Sequence, residues 1–360
     1  MRIVIAKKTL STVGGSEVFA RSLDRELRAL GHDVQLVGLQ PAWSRPGIAE
    51  DRRSKFLPVR GGRIGAAIDS LLPTSLVSDA DLRAAIRGAD VVHSIAREWA
   101  GALEHAARAE GAAFVETPLV HPGQPFSGDG MGDVARYRRD DAVIALTNWE
   151  AGWYRERGVR NVHVTGIGPN LLALPDVPRE PATILFVGRK ELYKGYYSLL
   201  NAARIVWRER PDARFVAIGQ PAWFARIWKP PQDARWIDRG VVSEEEKAEA
   251  YARATIFAMP SEHETFGHTY LEAWLAGLPV IAGDIRPLRE VVREGVDGLH
   301  VENNGHAVAN AILTLLRDPE RARLMGVQGR ERVLREFTWE SVAKRTELAY
   351  RSALAKVRAA

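Results

Sequence analysis

Short β-branched runs alternate with longer amphipathic stretches along nearly the whole chain, and that alternation leaves few folds open. "RIVIA" (residues 2–6) reads as a buried strand. In "SEVFARSLDRELRALG" the residues Val18, Phe19, Leu23, Leu27 and Leu30 recur at helical spacing, and Gly31 stands where a helix C-terminus favours glycine. "DVQLVGL" then resumes the sheet. A strand, a helix and a strand in that order make a parallel pair with the helix on one face. "ADVVHS", "AAFVETP", "DAVIALT" and "VHVTGIG" continue the strands, with "AGALEHAARAEG" and "NWEAGWYRERG" as helices. The proline-bearing "PNLLALPDVPREPA" (residues 169–182) has no clear period and reads as an interdomain linker. A second series follows: "TILFVG", "YYSLLNAARIVWRERP", "ARFVAIG", "SEEEKAEAYARA", "TIFAMP", an amphipathic helix, "PVIAG" and "PLREVVREG", then a tail that is helical almost throughout. The expected fold class is therefore α/β, with two open parallel sheets facing each other across a cleft. Ligands of such sheets sit outside the carboxyl ends of the strands.

Composition narrows the classes of function. The 360 residues include no cysteine, which removes disulfides, thiolate zinc sites and cysteine nucleophiles together. No apolar run approaches the roughly 18 residues of a membrane-spanning helix, and "MRIVIAKK" lacks the form of a secretory signal. The reading is a cytoplasmic protein. The net charge of +5 is carried mostly by arginine, with clusters at Arg52, Arg53 and Lys55, at Arg60 and Arg63, and at Arg136, Arg138 and Arg139. Basic surface attracts anionic lipid and phosphorylated ligands as well as nucleic acid. No zinc-finger or RNA-recognition spacing accompanies these clusters, so nucleic acid is not the expected partner. A solvated surface and peripheral contact with the inner face of a membrane both remain open.

Three stretches carry chemistry. "GGSE" (residues 14–17) lies between the first strand and helix; it suits close approach of an anion to a helix N-terminus, or simply a tight turn capped by Ser16. "FVGRKELYKG" (residues 186–195) sets Arg189 and Lys194 in a loop at a strand's carboxyl end. A planar guanidinium and a mobile ammonium suit a diphosphate, although two surface cations would look the same. In "PSEHETFGHTYLEAWLAGLPV" (residues 260–280) Phe266-Gly267 turns the chain, and Leu271, Trp274, Leu275 and Leu278 give the following helix an apolar face. The amides near His268 and Thr269 open that helix toward an anion. Glu264 precedes the turn and Glu272 lies inside the helix. The loop between them lets the two carboxylates reach opposite ends of a nucleotide sugar; on a solvated face they would reach only water.

"ETFGHTYLEAWLAGLPVIA" resembles the E-x7-E signature of the family 4 retaining glycosyltransferases, which have the GT-B fold. "GGSEVFARSLDRELRALGHDV" is similar to their glycine-rich opening, "LFVGRKELYKGYYSLLNAA" to their strand with Arg and Lys behind it, "RGVVSEEEKAEAYARATIFAMPS" to the segment before the signature, and "GVDGLHVENN" to the glycine turn after it. The resemblance implies two Rossmann-like domains. Residues 1–170 would be acceptor-side and residues 171–339 would bind the donor, with a C-terminal helix over 340–360 packing back on the first. It implies that Arg189 and Lys194, next to Gly188, bind the donor diphosphate together with the amides around Phe266, Gly267, His268 and Thr269. Glu272 would hold the ribose hydroxyls, Glu264 would contact the transferred sugar, and Gly15 would approach the diphosphate from the other domain. His121 in "ETPLVHPG" matches a histidine reaching the donor sugar, while a plain loop histidine is the alternative. Glu264, His121, Arg189 and Lys194 would be the catalytic set. His93 is read as structural or acceptor-side. His268 stands where the family usually has an aliphatic residue, and Thr265 where it often has glycine.

The implied reaction is metal-independent, cofactor-free transfer of a hexose from a nucleotide-diphosphate sugar to a hydroxyl acceptor, with the anomeric configuration retained. A UDP-sugar is the first expectation for the donor and a GDP-sugar the second; a glycan, glycolipid or small metabolite would accept. The rival readings are a sugar phosphorylase on the same scaffold and a non-catalytic nucleotide-sugar-binding subunit.

Overall fold

Both series of alternating elements fold into parallel sheets. The structure is a computed structural model and describes residues 1–10, 14–39, 54–61, 76–124, 127–171, 173–222 and 232–359. The chain divides into two compact units: residues 1–167 with the helix that begins at Trp339, and residues Gly168–Thr338.

In the first unit the strands are β1 (Arg2–Ala6), β2 (Asp33–Leu39), β3 (Ser54–Leu57), β4 (Val91–Ile95), β5 (Ala113–Thr117), β6 (Ala142–Ala145) and β7 (Val162–Val164). They lie in the order β3-β2-β1-β4-β5-β6-β7, every pair parallel. The helices between them are α1 (Gly15–Ala29), α2 (Asp79–Ile86), α3 (Ala100–Ala109), α4 (Met131–Arg139) and α5 (Asn148–Glu156). Strands β4, β5 and β6 are buried at every position, as expected of a sheet covered on both faces.

The second unit holds β8 (Thr183–Val187), β9 (Arg214–Ile218), β10 (Trp236–Arg239), β11 (Ile256–Met259), β12 (Val280–Gly283) and β13 (Gly298–Val301), in the order β10-β9-β8-β11-β12-β13 and again all parallel. Its helices are α6 (Tyr196–Glu209), α7 (Glu244–Arg253), α8 (His268–Leu275), α9 (Arg286–Val291), α10 (Gly305–Arg317) and α11 (Pro319–Glu336). Strand order reverses beside β1 in one sheet and beside β8 in the other, the point where open α/β sheets receive ligands.

Helix α12 (Trp339–Ala359) follows the second unit in sequence and packs in the first. Trp339, Val342, Ala343, Thr346, Ala349, Tyr350 and Ala353 form its buried stripe at helical spacing. Trp339 meets Phe19 of α1 edge to face at 5.6 Å, Arg345 Nε donates to the Thr165 carbonyl at 2.7 Å, and Lys356 Nζ to that of Asp140 at 2.6 Å.

Some elements escape the sequence pattern. Strands β3, β10 and β13 and helices α2 and α4 are among them, and the tail breaks into three helices at Asp318 and Phe337. Ser16 does not cap α1: Gly14 is the N-cap, and the Ser16 hydroxyl donates to Glu17 at 3.1 Å. The cluster at Arg136, Arg138 and Arg139 is not free basic surface. Arg136 is largely buried and grips Glu116 through two bonds of 2.9 and 3.1 Å, Arg139 pairs with Glu104 at 3.0 Å, and Arg138 donates to the Arg157 carbonyl. Lys55 and Arg60 are exposed, whereas Arg52, Arg53 and Arg63 lie outside the described residues. Among the described residues no helix is long and apolar enough to cross a membrane.

Candidate active site

In the second unit the strand ends at the reversal point carry the charged residues singled out above. Beyond β8, Gly188 donates its N–H to Ile218 and the chain enters a short 3-10 turn, Leu192–Lys194. Arg189 stands more than half exposed, paired with Glu191 at 3.2 Å and hydrogen-bonded to the Tyr193 hydroxyl. Lys190, the next residue, points the other way: it is buried, bonded to Asp238 at 2.6 Å and to the Arg239 carbonyl. Lys194 reaches across to the loop beyond β11 and ion-pairs with Glu264, 70 residues away in sequence. Hydrogen bonds fasten the two loops together, since Glu262 donates its N–H to the Tyr193 carbonyl at 2.7 Å and Ser261 Oγ donates to the same oxygen at 3.1 Å.

Gly267 then turns the chain into α8. Its φ of +91° lies in the left-handed region, and a Cβ there would meet the Tyr270 ring at 2.5 Å, so glycine is required. The first amides of α8 have no acceptor within their own helix and carry the positive end of its dipole. His268 and Thr269 supply those amides, four and five residues after Glu264. The imidazole of His268 turns back, its Nδ1 2.9 Å from the Gly168 carbonyl. Phe266 is 3% exposed and packs edge to face on Phe337 at 5.3 Å, so only its backbone is available to a ligand.

One turn into α8, Glu272 is 3% exposed. The Tyr251 hydroxyl donates to one carboxylate oxygen at 2.9 Å, and Lys247 Nζ lies 3.4 Å from the other. Burial outweighs both partners and pushes the carboxyl up to about 7. Lys247 also donates to the Asn170 carbonyl at 2.9 Å. Helix α8 is anchored at its other end by Trp274, whose Nε1 donates to the Asp297 carbonyl at 2.8 Å.

The remaining predicted residues lie in the first unit. Gly15 opens α1 beyond β1. Beside it Lys7 is buried, 3.8 Å from Glu17 and 3.3 Å from Glu98, a charge cluster that sequence reading missed. The doublet "KK" directly after a buried strand was the available signal. His121 is half-buried in the loop beyond β5, two residues after Leu119, whose φ is +57°. His93 is structural: fully buried, its nitrogens lie 2.8 Å from the Tyr350 hydroxyl and 2.7 Å from that of Thr117, and burial lowers its pKa to about 3. The imidazole is therefore neutral at physiological pH.

A cavity of about 740 Å³ lies at the opposite, amino ends of the second unit's strands, against Ala182, Thr255, Ile256, Pro279 and the α11 residues Val327 and Leu334. It contains none of the residues above. Among the described residues no group of three or more His, Asp or Glu is placed to hold a metal ion.

The pattern of known families agrees with this arrangement. Residues 175–332 match the family of glycosyl transferases group 1, and residues 14–170 match the glycosyl transferase 4-like domain. The chain belongs to the family 4, group 1 glycosyltransferases. As a member it is a retaining hexosyltransferase that takes its sugar from a nucleotide sugar. Among related proteins, this glycosyltransferase is 27% identical to glycogen synthase of Mycobacterium tuberculosis, over 95% of this chain and 92% of that one. It is 30% identical to alpha-maltose-1-phosphate synthase of Mycolicibacterium smegmatis over 52% of each chain, so that match spans about half of either length. It is 32% identical to the GDP-mannose-dependent alpha-(1-6)-phosphatidylinositol monomannoside mannosyltransferase of M. tuberculosis over 46% of each. Its fold is that of sucrose-phosphate synthase from Thermosynechococcus elongatus (TM-score 0.80, 21% identity, 99% of both chains) and of Anabaena HepE in complex with UDP-glucose (TM-score 0.73, 16% identity, 97% and 99%). Those structures share the GT-B fold, two Rossmann-like parallel-sheet domains.

Proposed function

We propose that the second unit holds a UDP-sugar and that the first unit selects a hydroxyl acceptor, a glycan, glycolipid or small metabolite. The observation that carries this reading is the Lys194–Glu264 pair set before the N-terminus of α8, with Glu272 buried one turn behind. Arg189, Lys194 and the amides at Gly267, His268 and Thr269 would hold the diphosphate, the Glu272 carboxylate the ribose hydroxyls, and Glu264 the transferred sugar. Glu264 neutralises Lys194; a diphosphate would take over that ammonium and free the carboxylate for the sugar. During transfer the bond from the anomeric carbon to the phosphate oxygen breaks while the acceptor oxygen bonds to the same face, and the acceptor's proton passes to the departing phosphate. Lys194 and Arg189 would stabilise the charge on that leaving group, as fixed charges do in a site with little water. Glu264 would position the sugar and stabilise its positive charge, and His121 would contact it. UDP is placed first because HepE was solved with UDP-glucose, and GDP-mannose second because of the mannosyltransferase relative. Exposed Lys55 and Arg60 support peripheral contact of the first unit with an anionic membrane face, which binding to vesicles with and without anionic lipid tests.

Thermal-shift measurements with UDP, GDP, ADP and dTDP and their common sugars, on wild type and on Arg189→Ala, test the donor reading. One nucleotide should stabilise the wild type and lose that effect in the variant. No shift from any nucleotide, with folded protein, would overturn it.

A further inference from the structure

The cavity at the amino ends of β8, β11 and β12 has a volume of about 740 Å³, within the roughly 300–1,000 Å³ of small-molecule sites. Helix α11 forms one wall and is held at close range by glycine. A Cβ on Gly326 would lie 2.0 Å from the Gly277 carbonyl oxygen, and one on Gly329 2.0 Å from the Trp274 ring. These two positions bring α11 against α8 and the turn after it, while Ala322, Val327 and Leu334 of the same helix line the cavity.

The inner wall is aliphatic. Ala182, Ile256, Ala276 and Leu315 line it and are buried. The Thr255 hydroxyl is already spent: it accepts the Thr183 N–H at 3.0 Å and donates to the Thr183 carbonyl at 3.0 Å. Among the described residues the lining holds no aromatic ring and no side-chain amide. A nucleotide would find no ring to stack on, and a sugar too few polar groups for its hydroxyls. Hydrocarbon suits such a wall.

The exposed part of the lining is charged and mostly positive. Arg179, Arg210, Arg323 and Arg330 face a single carboxylate, Glu331. Two of these arginines are neutralised locally, Arg210 by Asp212 at 2.7 Å and Arg323 by Glu320 at 2.7 Å. Arg179 donates to the carbonyls of Ala254, at 2.5 Å, and of Ala276, and pairs with no carboxylate among the described residues. A guanidinium has five N–H donors, so Arg179 keeps others for a ligand. Arg330 is exposed, and its side chain has no ion-pair partner among the described residues. Two guanidiniums without a paired carboxylate against Glu331 leave one positive charge in excess.

We propose that this cavity binds a single-chain amphiphile with one negative charge, a fatty acid, whose hydrocarbon lies among the aliphatic residues and whose carboxylate meets Arg330 and Arg179. A carboxylate matches the planar fork of a guanidinium through two parallel bonds. The site lies at the opposite strand ends from Lys194, Glu264 and Glu272 and is independent of the donor reading.

Isothermal titration calorimetry of the intact protein with octanoate, decanoate and laurate, each below its micelle concentration, tests this. Affinity should rise about fourfold with each added methylene, the gain from taking one such group out of water. Arg330→Gln should weaken laurate binding about tenfold, the loss of a bond between charged groups. Val327→Trp, at a half-buried position of α11, should fill the cavity and abolish binding. If that variant does not fold, Leu334→Glu, at a lining position 57% exposed, sets a second carboxylate beside the ligand and should weaken binding about tenfold. Decanol, of equal length and uncharged, should bind about tenfold more weakly than decanoate. No binding of laurate to folded wild type would overturn the proposal, as would equal affinities for decanol and decanoate or undiminished binding by folded Val327→Trp. Loss of laurate binding in Lys194→Ala but not in Arg330→Gln would place the chain in the donor site and overturn it equally.

Discussion

Replacing Glu272 by Gln should make the protein more stable at alkaline pH while removing its hold on a nucleotide. The folded protein raises this carboxyl from 4.5 to about 7 by burying it. Each factor of ten in proton affinity is worth about 1.4 kcal/mol, so the gap amounts to about 3 kcal/mol. The sign follows from which state holds the proton more tightly. Because the folded state does, the wild type loses stability as pH rises from 4.5 toward 7, and above that the full penalty of a buried charge is present. Glutamine does not titrate. The stability of Glu272→Gln relative to wild type should therefore rise by about 2.5 kcal/mol between pH 5 and pH 8.5, measured by urea unfolding of both proteins at each pH. At pH 8.5 nucleotide binding should fall, because the amide cannot offer two charged acceptors to a ribose; hydrogen bonds to charged groups contribute about 1.5–3 kcal/mol. A residue that strains the fold and holds a ligand is the kind of exchange expected at a binding site. An identical stability difference at both pH values would refute the reasoning, as would undiminished nucleotide binding by the variant.

Other outcomes follow from the same geometry. Lys194→Ala should lower turnover by about 10²–10³, the effect of removing one fixed donor from a developing negative charge, and steady-state kinetics will read it. Gly329→Ala should destabilise by about 1–3 kcal/mol despite its better helix propensity, because its Cβ would lie 2.0 Å from the Trp274 ring. Gly152→Ala in α5, with nothing within 4 Å of the new Cβ, should instead stabilise by about 0.5–1 kcal/mol, and urea unfolding of the two variants tests the contrast. Chelation with EDTA should leave turnover unchanged, since Arg189, Lys194 and the α8 amides are assigned the work that a cation would do for the diphosphate.

Much of the architecture was legible because most covered strands are short apolar runs, and the longer covering helices such as α1 and α6 show their stripes. Strand β10, "WIDR", ends in two exposed charged residues at the sheet edge, so no alternation marks it. Strand β13, "GLHV", is four residues long and begins with glycine. The site was legible where its residues are close in sequence: Glu264, Gly267 and Glu272 fall within nine positions. What surrounds them was not. Tyr251 and Lys247 reach Glu272 from another helix, Lys194 finds Glu264 only because β8 and β11 are neighbours, and Lys190 turns inward although it sits between two residues read as outward. Phe266, placed in the site by its neighbours, belongs to the core through Phe337. Local pattern carries residue type and period; partners far apart in sequence come only from the fold.

The Lys194–Glu264 pair and the start of α8 are proposed as the donor site of a retaining transferase. Its most direct test is proton NMR of UDP-glucose and GDP-mannose during turnover by wild type and by Glu264→Gln. Wild type should release the nucleoside diphosphate from one of the two donors, the sugar should first appear in the anomeric form it had in that donor, and the variant should do so far more slowly. First appearance of the opposite anomer, or equal rates in the two proteins, would contradict it.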